Sequence, residues 1–171
     1  NILMTRAHLV PVGEDQLPHI ELTREVARRF NREFKHIFPE PEALVGRVPR
    51  LTGIDGNAKM SKSRRNTIDL RDSAGTVAKK VRGMYGGPPR GAKEAGRVGE
   101  NPIFLYLDAF DPNTAHVRDL KQRYEREGVS NKELKDRLTS VLHELLEPMR
   151  ERRANYESNM SRVREALEQG T

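Results

Sequence analysis

The segment AHLVPVG at residues 7–13 is a short apolar run that ends in glycine, the pattern of a buried strand feeding a turn. Acidic Glu14 and Asp15 then stand where a helix N-terminus gains from negative charge, and Ile20, Ala27, Phe30 and Phe34 recur at helical spacing. Pro18 fits that helix only near its start. Residues 47–51 read as a second, weaker strand, so the first third predicts strand, helix, strand. Two strands this apolar cannot bury both faces as a pair. They predict a larger parallel sheet whose other strands lie outside this chain, which marks the chain as a fragment.

Beyond the second strand the pattern changes. The stretch TGIDGNAKMSKSRRN places the turn formers Gly53, Asp55, Gly56 and Asn57 before a cluster of cations, which predicts a mobile basic loop. Asp72 or Ser73 is positioned to cap a helix that runs to about Arg82, with Val77 and Val81 as its apolar stripe and Gly83 as its stop. Residues 86–99 collect Gly, Pro, Lys and Arg and read as a flexible surface connection. Helical patterns then dominate: residues 103–110; then Val117, Leu120 and Tyr124; then Leu134, Leu138, Val141, Leu142, Leu145 and Met149. These predict antiparallel packed helices, with Pro148 interrupting or kinking the last run and Tyr156, Met160, Val163 and Leu167 continuing an apolar face. The fold class expected is α/β, the end of a parallel-sheet domain over residues 1–72 followed by an α-helical domain over residues 73–171.

Composition removes several functions. The 171 residues include no cysteine, which excludes disulfide scaffolds, thiol catalysis and Cys-based zinc sites. The five histidines are not spaced as a metal-ligand pair, so no metal site on protein side chains is expected. No apolar run approaches membrane-spanning length and residues 1–6 form no secretory signal, so the expected location is the cytoplasm, without a membrane partner. Thirty-one Lys and Arg against 25 Asp and Glu leave a formal charge of +6, which favours acidic partners such as nucleotides or RNA.

The most specific feature is Lys59-Met60-Ser61-Lys62-Ser63 on the glycine-flanked loop. A given five-letter string arises by chance in roughly one chain of this length in ten thousand. Two lysines three positions apart, with a small hydroxyl residue between them, bring two ammonium groups and a hydroxyl onto a polyphosphate. Lysines alone would read as a solvated basic loop. The whole string resembles the signature loop of class I aminoacyl-tRNA synthetases. VPVGEDQ at residues 10–16, HIELTREVARRFN after it, LTGIDGNAKMSKS, KKVRGMY at 79–85 and NPIFLYLDAFDP at 101–112 resemble the tryptophanyl-tRNA synthetase family, over nearly the whole chain.

This resemblance implies a Rossmann-like catalytic domain followed by a helical bundle that contacts the tRNA anticodon region. It implies ATP-dependent activation of L-tryptophan, transfer to tRNA(Trp), and a homodimer. By the same resemblance Lys59, Met60, Ser61, Lys62 and Ser63 bind ATP, with Lys59 and Lys62 stabilising the departing pyrophosphate as catalytic residues. Mg²⁺ would arrive with ATP and need no protein ligand. Gly13 lets the backbone approach the nucleotide, and Asp15 accepts hydrogen bonds from a ribose hydroxyl. Gln16 and Val12 would meet the amino acid. Outside this context Asp15 reads as a helix N-cap and Gln16 as a surface residue. Asn1 falls where the family usually carries an Asp that accepts the indole NH; its carbonyl oxygen retains the acceptor and loses the charge.

The family's earlier His-rich ATP motif is absent from these residues, so the chain alone is expected not to catalyse activation. Three other readings compete. GGPPRGAK at residues 86–93 approximates a phosphate loop, but Ala92 precedes the lysine, Glu94 replaces the hydroxyl residue, and two prolines remove donors. A non-enzymatic RNA-binding helical module fits the +6 charge and Arg150, Arg152 and Arg153. The third is the related tyrosine-specific synthetase.

Overall fold

A computed structural model describes residues 1–46, 48, 50–89, 91 and 94–170. The chain divides into two compact units, Asn1–Arg50 and Leu51–Thr171. Packing thus assigns residues 51–72, which the sequence pattern places with the first domain, to the same unit as the helices.

The first unit is a β-α-β crossover. Strand β1, Leu9–Val12, leads through a 3-10 turn, Glu14–Gln16, into helix α1, Leu17–Glu33, and strand β2, Glu42–Val45, returns parallel to β1. The register pairs Leu9 with Glu42 and Val12 with Val45. The second strand therefore lies upstream of the residues 47–51 expected from sequence: Val48, Arg50 and Leu51 are not in a strand, and Arg47 and Pro49 lie outside the described residues. Ala43-Leu44-Val45 lies opposite Val10-Pro11-Val12 as an uninterrupted apolar run. Pro18 sits in the first turn of α1, where its missing N–H removes nothing from the helix. Ile20 and Ala27 are the buried residues of α1. At its far end the Asn31 amide accepts from the main-chain N–H groups of Ile37 and Phe38 and donates to the Phe38 carbonyl at 2.7 Å, which turns the chain back toward β2. Leu9 and Leu44 stay more than half exposed, so the pair leaves apolar strand surface uncovered.

In the second unit a loop segment precedes helices α2, Ala74–Arg82; α3, Pro102–Phe110; α4, Thr114–Arg126; α5, Asn131–Ser158; and α6, Met160–Gln169. Every start is chemically marked. The Ser73 hydroxyl accepts from Thr76 N, Asn101 from Ile103 N, Asn113 from His116 N, Ser130 from Glu133 N and Asn159 from Arg162 N. Asn101 is buried and its amide also donates to Tyr124 Oη and Asn131 Oδ1, both at 3.1 Å, joining the starts of α3 and α5 to α4.

The core gathers Val77 and Val81, Ile103 and Leu107, Leu120 and Tyr124, and Leu134, Leu138 and Leu142. Past Leu142 the stripe on α5 continues through Leu146 rather than the expected Leu145 and Met149, which are 38% and 40% exposed. Pro148 does not interrupt α5, which runs through it to Ser158. The carbonyl that loses its partner belongs to Glu144, and both residues are exposed, so the carbonyl lies on the solvent side of the helix. The apolar residues expected to carry a face onward, Tyr156 and Met160, are half exposed and outside the core. Two long-range contacts reach α5: Arg150 Nε donates to the Asp72 carbonyl of the loop segment at 2.8 Å, and His143 Nε2 lies 3.0 Å from the Ala74 carbonyl at the start of α2.

Candidate functional site

The lysine loop is built on a turn. Gly53 N donates to the Asn57 carbonyl and Gly56 N to the Gly53 carbonyl, with Gly56 at φ +82, a conformation that favours glycine. The Asp55 carboxylate accepts from the main-chain N–H of Asn57 at 3.0 Å and from its side-chain amide at 2.7 Å. These bonds from Asn57, with one from Asn66, hold the Asp55 carboxyl below the usual carboxylate range despite an opposing desolvation effect.

The following residues, 59–66, are anchored at two levels. Met60 is half-buried and packs against the helical core, beside Ile68 and Leu51. Asn66 is 2% exposed and its amide contacts the main chain on both sides of Met60: Nδ2 donates to the Lys59 carbonyl at 3.0 Å and Oδ1 accepts from Ser61 N at 2.9 Å. A turn then closes from Ser61 through Arg65, with the Ser61 and Ser63 hydroxyls 3.2 Å apart and Arg65 at φ +54. Lys59, Lys62 and Ser63 are exposed. Among the described residues neither lysine ammonium is engaged in an ion pair. The main chain is thus fixed while two cations point outward, an arrangement suited to a polyanion that arrives from solvent. The loop predicted as mobile is instead bonded to its surroundings through Asn66 and Met60.

Beneath Met60 lies an apolar cavity of about 110 Å³, lined by Leu51, Ile68, Tyr106, Phe110 and Leu146 among others. The Tyr106 hydroxyl donates to the Thr52 carbonyl at 2.5 Å, and burial, aided by the charge of Asp55, pushes the phenol up to about 12.

The other predicted site residues belong to the first unit. Val12 ends β1 and is half-buried; Gly13 follows at φ −76 and ψ 161, an extended conformation open to any residue. Its value to a ligand is therefore its missing side chain, not a special backbone angle. Asp15 and Gln16 are exposed on the 3-10 turn, with Gln16 Nε2 donating to the Asp15 carboxylate at 3.1 Å. Asp15 caps no helix: the residue before the turn is Gly13 and the residue before α1 is Gln16, neither with a side-chain cap bond. The exposed Asn1 accepts from Thr5 N at 3.2 Å through its main-chain carbonyl. The structure thus groups residues 59–63 on one loop and places Val12, at the end of β1, directly before the turn that carries Gly13, Asp15 and Gln16. In the phosphate-loop alternative, Arg90, Ala92 and Lys93 lie outside the described residues.

Sequence reasoning missed Asn66 and Tyr106, and read Gly53 as a turn former only. Gly53 carried a signal as a turn former, but its close approach to Asn66 depends on the folded loop. Asn66 carried none, because one asparagine after two arginines reads as surface.

A family model described as "tRNA synthetases class I (W and Y)" matches residues 1–147. The tryptophan–tRNA ligase of Treponema pallidum (strain Nichols) is 50% identical over 171 residues, covering 99% of this chain and 51% of that protein. The tryptophan–tRNA ligase of Chlamydia caviae is 48% identical over 172 residues, covering 100% of this chain and 50% of that protein. The crystal structure of Campylobacter jejuni tryptophanyl-tRNA synthetase complexed with ADP and tryptophan is 30% identical, with a TM-score of 0.67, covering 98% of this chain and 52% of that one. The chain spans about half the length of the curated relatives it matches. The β-α-β crossover, the lysine loop and the helices after it are thus parts of a class I synthetase fold, and this chain belongs to the class I tRNA synthetases of the tryptophan and tyrosine type.

Proposed function

We propose that this chain works in a tryptophan–tRNA ligase, contributing the loop that handles the ATP phosphates and a helical region that meets tRNA(Trp). The observation that carries the reading is the display of Lys59 and Lys62 on a main chain held from below by Met60 and Asn66. In the reaction a carboxylate oxygen of tryptophan attacks the α-phosphorus of ATP, the bond to the bridging oxygen breaks, and pyrophosphate departs. No protein nucleophile is required; the chemistry needs alignment and neutralisation of the growing negative charge. Lys59 and Lys62 supply that neutralisation, with the Ser61 and Ser63 hydroxyls and the Met60 backbone completing the phosphate-side contacts.

On the turn after β1, Gly13 leaves space for the nucleotide and Asp15 accepts from the ribose. Val12, Gln16 and Asn1 face the amino acid. Mg²⁺ carried in with ATP would supply further neutralisation of the phosphate charge. The residues present fit an ion held by the triphosphate, because Asp55, the loop's carboxylate, already accepts from Asn57 and Asn66. The functional division falls near residue 72, with residues 73–171 serving tRNA, and the working protein is a cytoplasmic homodimer. Among the described residues no helix is long and apolar enough to cross a membrane.

Tryptophan-dependent exchange of pyrophosphate into ATP, measured on a protein of the relatives' length, tests the reading. Exchange driven by tyrosine would reassign the substrate, since the matching family includes both specificities. RNA binding without exchange for either amino acid would favour a non-enzymatic helical module.

A further inference from the structure

Asn66 is 2% exposed, yet each of its amide hydrogens and its amide oxygen is bonded. Nδ2 donates to Asp55 Oδ1 and to the Lys59 carbonyl, both at 3.0 Å, and Oδ1 accepts from Ser61 N at 2.9 Å. Its main-chain carbonyl accepts from Ile54 N at 3.0 Å. We propose that Asn66 is a positioning residue for amino-acid activation, fixing the backbone from which Lys59 and Lys62 reach the phosphates. The proposal rests on the functional reading above and adds a residue that touches no substrate.

The amide is matched to this task. It spans two acceptors and one donor at once, and a buried amide stripped of partners is strongly disfavoured. Aspartate has the same shape but no hydrogens to donate, and would set a second carboxylate against Asp55 and the Lys59 carbonyl. Serine is too short to bridge both sides of the loop. Gly53 completes the fit: a Cβ there would fall 2.2 Å from Asn66 Nδ2, so the amide occupies the space a side chain would take. The bonds end on Lys59 and Ser61, which flank Met60 and precede Lys62, so any shift of the amide moves the base of both lysines. A displacement of about 1 Å at a reacting group slows a reaction roughly 100-fold.

The test uses Asn66→Asp in a protein of the relatives' length. The expected result is a fall in kcat for tryptophan-dependent pyrophosphate exchange of about 10- to 100-fold, with KM for tryptophan unchanged. Transfer of tryptophan from preformed adenylate to tRNA should stay near its original rate, and trypsin should cut after Lys59 and Lys62 faster. In Lys62→Ala the added Asn66→Asp change should cost less than it does alone, because part of its effect is exerted through Lys62 and the rest through Lys59. Gly53→Ala, which keeps the amide but displaces it, should reproduce the phenotype and serves if Asn66→Asp does not fold. Unchanged kcat, fully multiplicative losses in the double variant, or an equal rise in KM for tryptophan would overturn the positioning role alone. Absence of exchange in the unsubstituted protein would overturn the functional reading and the role together.

Discussion

Arg137 grips Asp111 with two bonds of 2.8 Å, Nε to Oδ2 and Nη2 to Oδ1, across 26 residues of sequence. The carboxylate side chain is fully buried at the end of α3, and its partner on α5 is 29% exposed. Burial by itself raises the Asp111 carboxyl; the Arg137 bonds, the Asn113 N–H and the guanidinium charge outweigh it and leave the group below its ordinary 3.8.

Asp111→Asn should therefore destabilise the helical unit by about 3 kcal/mol, because it leaves Arg137 without its charged partner. A native carboxyl held below its unfolded value contributes stability above that value and loses it as the pH falls through the native one. Urea unfolding should show the unsubstituted chain weakening below about pH 4, and Asp111→Asn weakening less over the same window.

Tyr106→Phe removes the donor to the Thr52 carbonyl and should cost about 1–2 kcal/mol. The phenol is raised to about 12, so its contribution is complete below the unfolded value of 10.0 and is lost as the pH rises toward 12. Phenolate absorbance should show one tyrosine titrating late in the folded chain, and Tyr106→Phe should remove that component.

Pro148→Ala restores an N–H within α5 at an exposed position. Thermal unfolding should show a gain of about 1–3 kcal/mol, since proline is disfavoured by about 3 kcal/mol in a helix interior. A loss of stability would mean that the proline's ring is needed by its neighbours.

In a protein of the relatives' length, Lys62→Ala should slow tryptophan activation by roughly 10- to 100-fold while changing ATP affinity in the ground state little, as expected if Lys62 makes a charged hydrogen bond mainly in the transition state. Single-turnover rates against ATP concentration separate the two. A loss of ATP affinity with the rate at saturating ATP unchanged would place Lys62 in ground-state binding only.

The helices of the second unit were legible because Val77 and Val81, or Leu134, Leu138 and Leu142, repeat at the helical period and their caps are local. The step from Leu142 to Leu146 was not, since Leu145 satisfies the period equally and only packing against α3 chooses between them. Strand β2 was hidden for a different reason. Its four residues carry little pattern, and the bond from Glu42 N to the His8 carbonyl that fixes it spans 34 residues. At the candidate site, the lysine string stands out in the sequence by its rarity and spacing. Asn66 does not, because its importance comes from what surrounds it.

The bond from Arg150 to the Asp72 carbonyl has a consequence for biosynthesis. A ribosome delivers the lysine loop long before it delivers Arg150, and the Tyr106 bond to Thr52 must also wait for α3. The nascent loop therefore emerges without the helices that hold it, and its fixed geometry is a late product of chain synthesis. A message truncated before α5 would yield the signature residues in order and in full, without the structure that aims them.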